Sequence, residues 1–362
     1  MKRRPPGRAA LIGRLFALLV IQATLLQARA TDPFAFFEPS VSLTADERKR
    51  LDSGGNIARV VPAQEHDIAV FAAVPVNVGG DRFVAWVRRI EALKKTSYVL
   101  AIQRVSNPVR LEDFDSLTVE PGDLEDIRNC KPGKCALKLT AAEIETFQNT
   151  IREHGTDWKP AVEAAFRRMM LQRIQTYLAK GHEGLSEIRD VSPPHSPAIA
   201  FTGVLQRSEF LTRQLPQHAA YLGKAPAQTG GVESFVYWSK ELFSRKTVIS
   251  ATEVSIVRPN GDGLPEVVIA SKQIFATHYM DASLGVTAIV RDGPSKRYLT
   301  YLNRTDVDVV GGFFGGLVRS ILQRRLRNEA PGVLIGLRER LESGEPPAAA
   351  DAPLAIRAQP LR

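Results

Sequence analysis

The chain is poor in the residues that most often mark chemistry. Its 362 residues include two cysteines, six histidines, four methionines and three tryptophans. The cysteines, Cys130 and Cys135 in "NCKPGKC", are spaced too widely for a redox Cys-x-x-Cys pair. No two further ligands stand at metal spacing nearby, so no metal is expected. The sequence has no G-x-S-x-G elbow, no H-E-x-x-H pair and no glycine-rich phosphate loop. The signatures of α/β-hydrolases, zinc proteases and nucleotide-binding proteins are thus missing, and no cofactor is expected. No apolar run approaches the roughly 20 residues that a membrane-spanning helix needs.

What is present begins at the N-terminus. Lys2, Arg3, Arg4 and Arg8 precede the apolar stretch "LFALLVIQATLL", and "ARA" at 28–30 follows. Basic, then apolar, then small is the order of a secretory signal peptide, residues 1–30, cut near Ala30. A periplasmic or secreted protein is the expectation, with an uncleaved anchor as the alternative. This segment holds six of the 48 basic residues and none of the 39 acidic ones, leaving 42 against 39, a net +3 instead of +9. A basic balance concentrated in a leader does not argue for nucleic acid, and no such partner is expected. In an exported chain, Pro132-Gly133 between the two cysteines reads as a tight turn closed by a disulfide. So small a loop makes it a local staple of roughly 2 kcal/mol.

Beyond an irregular lead-in (31–56), "DIAVFAAVPVNV" is apolar on both alternating faces and predicts a buried strand. Phe83, Trp86, Val87, Ile90 and Leu93 then recur at helical spacing, and "SYVLAIQRVS" predicts a second strand. From Pro108 the chain turns acidic and turn-rich. Thr140 with Glu143 three residues on forms a capping box. Val162, Phe166, Met169, Met170, Ile174 and Tyr177 predict a long helix over about 158–180, stopped by Gly181. A weaker helix is expected around Ile199–Gln214. The next hundred residues read as strands separated by short turns, hence an antiparallel meander: "FVYWSKELF", "TVISATEVSIV", "EVVIASKQIFATHYM", "LGVTAIV" and "RYLTYLNR". Leu317 to Leu341 predict a long C-terminal helix that Pro331 should kink, and 343–362 read as a disordered tail.

The order of these pieces resembles the helix-grip fold of START-related lipid-binding domains and of the birch-pollen-allergen and polyketide-cyclase group. That resemblance implies an α+β fold, with an antiparallel sheet wrapped around the long C-terminal helix and a cavity between them. Residues 57–107 and 232–342 would form that domain, and 108–231 a largely helical insertion carrying the disulfide. Pro331-Gly332 departs from the uninterrupted final helix usual there. The stretches "FVYWSKELF", "SKQIFATHYMDASLG" and "YLNRTDVD" are also similar to a family of secreted bacterial proteins, a likeness that carries no activity with it.

Within this frame the expected function is binding of an apolar or lipid-like small molecule. Trp238, Phe275, Tyr279 and Phe313 would wall the cavity, with Lys272 as a polar anchor. Glu253 and Lys272 each stand mid-strand among apolar neighbours; they either orient a ligand, pair with each other or face water. The segment "VVGGFFGGLVRS" sets Phe313-Phe314 between glycine pairs, a pattern suited to a mobile gate, to membrane-surface contact with Arg319, or to a plain turn. In "SKQIFATHYMDASLG", alternation along one strand would put His278 opposite Tyr279, with Asp281 and Ser283 at the turn. The alternative function is a cell-envelope enzyme using His278 with Asp281 or Glu253 as acid and base. A non-catalytic partner of an envelope assembly is a third reading.

Overall fold

The computed structural model describes residues 32–63, 67–224, 232–243, 246–307 and 330–346. Within them, eight strands form one antiparallel sheet: β1 (Ile57–Val61), β2 (Asp67–Pro75), β3 (Val99–Arg104), β4 (Glu233–Phe243), β5 (Lys246–Val257), β6 (Val267–Ala276), β7 (Met280–Asp292) and β8 (Lys296–Val307). Their spatial order is β1-β2-β8-β7-β6-β5-β4-β3. The meander β4 to β8 is sequential because its connections are tight. Gly293, at φ 65°, closes the three-residue loop between Asp292 and Lys296. β2 lies between β1 and β8, and its near-continuous run of buried residues reflects cover on both faces. The protein is therefore α+β.

Helices cover both sides. On the front face, α2 (Gly80–Val87) and α3 (Ile90–Leu93) join residues 330–343, here α10, in one apolar cluster with Val74, Phe235, Val254, Ile269, Ile289 and Leu299. α10 is held there by polar ties. Arg82 donates to the Leu341 carbonyl at 2.6 Å, Arg340 to the carbonyls of Leu93 and Lys95, and the Asn77 amide to Glu342 at 2.8 Å. The back face carries the N-terminal segment with α1 (Ala45–Asp52) and the helices inserted between β3 and β4. These are α4 (Pro121–Asn129), α5 (Ala141–His154), α6 (Trp158–Lys180), α7 (Pro197–Gln206), α8 (Glu209–Gln214) and α9 (Pro216–Leu222). α5 starts at the Thr140–Glu143 capping box, and α6 stops where Gly181 adopts φ 59°. Cys130 and Cys135 are disulfide-bonded.

Several sequence expectations need correction. The helix expected through Phe83–Leu93 is two helices, because Arg89 leaves helical dihedrals and Arg88 reaches out to Glu233 at 2.7 Å. The helix over 199–214 is likewise two. Ser208 turns its hydroxyl back onto the Val204 carbonyl between them. The strand expected through Met280 ends at Ala276. Residues 277–279 form the bend, Tyr279 has φ 66°, and Asp281 and Ser283 belong to β7. His278 is therefore not part of an alternating strand face. The leader, Phe313, Phe314, Arg319 with the flanking glycines, most of the expected last helix and most of the tail lie outside the described residues.

Candidate functional site

Interior strands of a sheet covered on both faces should be buried at every position. On the back face of β6, β7 and β8 they are: Val268, Ala270, Lys272, Leu284, Val286, Ala288, Leu302 and Arg304 are all buried. On the front face the same strands carry half-buried residues, and nearly all are polar: Ser271 and Gln273 on β6, Ser283 and Thr287 on β7, Tyr301 and Asn303 on β8. Ser250 on β5 and Glu241 on β4 extend the row. Register brings them together. Ser271 lies opposite Gly285, Gly285 opposite Asn303, Thr287 opposite Tyr301, and Thr252 opposite Gln273. The result is a polar floor spanning five adjacent strands, next to the apolar half on which α2, α3 and α10 pack.

Lys94, just past α3, keeps 28% side-chain exposure and Tyr301 is only half-buried, so the floor retains accessible surface where the back face of the same strands is closed.

The floor carries an ordered polar network. At one end Lys94 Nζ donates to Glu241 at 2.6 Å and to the Tyr237 hydroxyl at 3.2 Å, and Ser239 donates to the same carboxylate at 2.7 Å. Burial opposes the charge on Lys94, but Tyr237 and Glu241 outweigh it and hold its pKa above the usual lysine range. Burial likewise opposes ionisation of Glu241; the Lys94 ammonium overcomes it and keeps the carboxyl below its ordinary value. Mid-floor, burial pushes the Tyr301 phenol up to about 12. At the far end Asn303 donates to Ser283 at 3.2 Å and accepts from Thr305 at 2.7 Å, while Ser283 and Thr305 share a bond at 2.8 Å. Gly285 leaves the floor open: a Cβ there would stand 3.5 Å from the Tyr301 ring and 3.6 Å from the Asn303 amide.

The described residues marked out in the sequence sit elsewhere. Trp238 and Phe275 pack on the back face among α4, α5 and α6. There Trp238 donates to the Asp113 carbonyl at 2.8 Å, and Phe275 lies under the Arg173 guanidinium, 4.2 Å from its centroid. Neither faces α10, and Tyr279 sits at the bend, beside Phe243 and His278. Lys272 and Glu253 are cross-strand neighbours on the back face, both buried. Glu253 accepts from Tyr177 at 2.5 Å and from Tyr221 at 2.6 Å. Lys272 donates to the Leu222 carbonyl at 2.7 Å between the rings of Tyr177 and Phe201. Burial lowers its pKa to about 8, with Glu253 offsetting part of the effect. Nearby His218 bonds Ser255 at 2.8 Å, and burial lowers its pKa to about 4.

His278, Asp281 and Glu253 each take separate partners. His278 Nδ1 faces the Ala136 carbonyl at 2.9 Å and Nε2 faces Asp123 at 3.3 Å. Two acceptors around one ring suit a structural tie, and His278 and Asp123 are both closed to solvent. Asp281 accepts from Lys138 at 2.6 Å and lies 2.8 Å from His195. This cluster anchors the 188–195 segment, on whose backbone the disulfide turn docks through Gly133 and Cys135.

Comparison with known proteins adds little. No family model matches the chain, and no curated protein does. One solved structure it is similar to is the crystal structure of TTHA0849 from Thermus thermophilus. It is 17% identical, with a TM-score of 0.24, over 39% of this chain and 90% of that one. A TM-score so low carries no argument.

Proposed function

We propose that this is an exported, non-catalytic protein that binds a small molecule in the recess above the polar front floor of its sheet. The observation that carries the reading is the floor itself. Polar side chains on interior strands retain accessible surface while every matching position on the back face is filled. Concave sites with a few converging polar groups are where proteins hold small ligands. The position of α10 on that face, beside α2 and α3, supports the helix-grip resemblance. The disulfide and the leader-like N-terminus favour export. The enzyme reading draws no support from His278, because its pairing with Asp123 is closed to solvent.

The test is native mass spectrometry of the protein expressed with its N-terminal segment in a bacterial host. A bound mass of several hundred daltons, removed by denaturing extraction, is the expected result. A clean apo mass that persists after incubation with host envelope extract counts against it.

A further inference from the structure

The chemistry of the floor narrows what the recess accepts. Among the described residues its partly exposed charge pair, Lys94 with Glu241, is internally neutralised at 2.6 Å, so that pair offers no net charge to an ionic ligand. The remaining groups are hydroxyls, phenols and carboxamides, neutral groups that both donate and accept. Ser283, Asn303 and Thr305 hold one another in fixed orientation. The hydroxyls of Ser271, Thr287 and Tyr301 have no hydrogen-bond partner among the described residues. A hydrocarbon laid on this floor would strand those groups, at about 1–3 kcal/mol for each that loses water without replacement. A ligand carrying several hydroxyls would satisfy them in both directions. The half-buried Tyr301 ring supplies apolar surface between the polar rows, suited to the C–H face of a sugar ring.

We infer that the recess selects a neutral, hydroxyl-rich ligand of the saccharide class, an inference that rests on the recess being the binding site. The order of the elements and the Gly-Phe segment had suggested an apolar cargo, with Trp238, Phe275, Tyr279 and Phe313 as cavity walls. Trp238 and Phe275 lie on the other face and Tyr279 at the bend, and the floor among the described residues is polar.

The experiment is saturation-transfer NMR on the purified protein with glucose, N-acetylglucosamine and maltotriose, alongside fluorescence titration with a dansylated undecanoic acid as the apolar probe. Two variants accompany the wild type. Tyr301→Phe removes one hydroxyl from the floor. Gly285→Ala adds a methyl where a Cβ meets its neighbours at ordinary contact distance. The expected result is transfer to sugar ring protons, weakened about 2- to 10-fold in Tyr301→Phe, the effect of one net hydrogen bond. Gly285→Ala should also weaken it, and both variants should keep the wild-type melting temperature within about 3 °C. Tight binding of the dansyl probe, sensitive to Gly285→Ala, with no sugar signal would overturn the saccharide assignment and leave the recess as the site. Silence from sugars and probe alike would overturn both.

Discussion

Tyr177→Phe tests the back-face ionic nest with a single atom. Tyr177 and Tyr221 each donate to one oxygen of Glu253, at 2.5 and 2.6 Å, and all three residues are at most 2% exposed. Removing the Tyr177 hydroxyl leaves one carboxylate oxygen facing a phenyl ring, with Lys272 engaged by the Leu222 carbonyl. A hydrogen bond to a charged acceptor contributes about 1.5–3 kcal/mol, so a loss of about 2 kcal/mol is expected. With unfolding entropy of roughly 2.1 cal/mol/K per residue, a chain of this size loses about 3 °C in melting temperature. Tyr221→Phe should cost the same. The double variant should exceed the sum by about 0.5–3 kcal/mol, since the second removal strips the carboxylate of its last phenol donor. Urea unfolding followed by tryptophan fluorescence measures all three. A loss below about 0.5 kcal/mol in both single variants would refute the idea that these phenols offset the burial of Glu253.

Further outcomes follow from the same geometry. His218, held near pKa 4 by burial, binds protons more readily once unfolded, so stability should fall as pH drops from about 6.5 towards 4. His218→Gln should flatten that fall in a pH series of urea midpoints. Lys272 acts in the same sense in the alkaline range. Its folded pKa of about 8 against 10.5 makes its contribution rise between those values, and Lys272→Met should remove that rise. For His195, the Asp281 hydrogen bond raises the pKa despite burial. Its contribution is therefore complete below about 6.5 and is lost as pH climbs through the raised value, which NMR titration of the ring protons should reveal. Replacing Cys130 and Cys135 by serine opens a small loop and should cost about 2 kcal/mol without abolishing folding.

The sequence made the elements more legible than the site. Capping at Thr140, the stripe that ends at Gly181 and the glycine-marked hairpins are local signals, and each appears where the residues put it. The break at Arg89 comes beside Arg88, whose partner Glu233 no local window contains, while Ser208 bonds back to Val204 within its own turn. The site was hidden for a related reason. "SLGVT" alternates polar with apolar residues, and "ASKQ" and "TYLNRT" are polar at nearly every position, patterns ordinarily read as strands with a face in water. Only knowing that helices cover both faces makes that polar row a candidate site. Asp123, the partner of His278, lies 155 residues away in the chain and is likewise invisible to spacing.

The most direct measurement compares wild type with Gly285→Val in native mass spectra of protein expressed with its N-terminal segment, after matching their melting temperatures. A β-branched side chain at Gly285 suits the strand and projects between Tyr301 and Asn303. The account predicts a bound mass on the wild type that the folded variant lacks. An equal load on both proteins would place the ligand elsewhere and contradict the central claim.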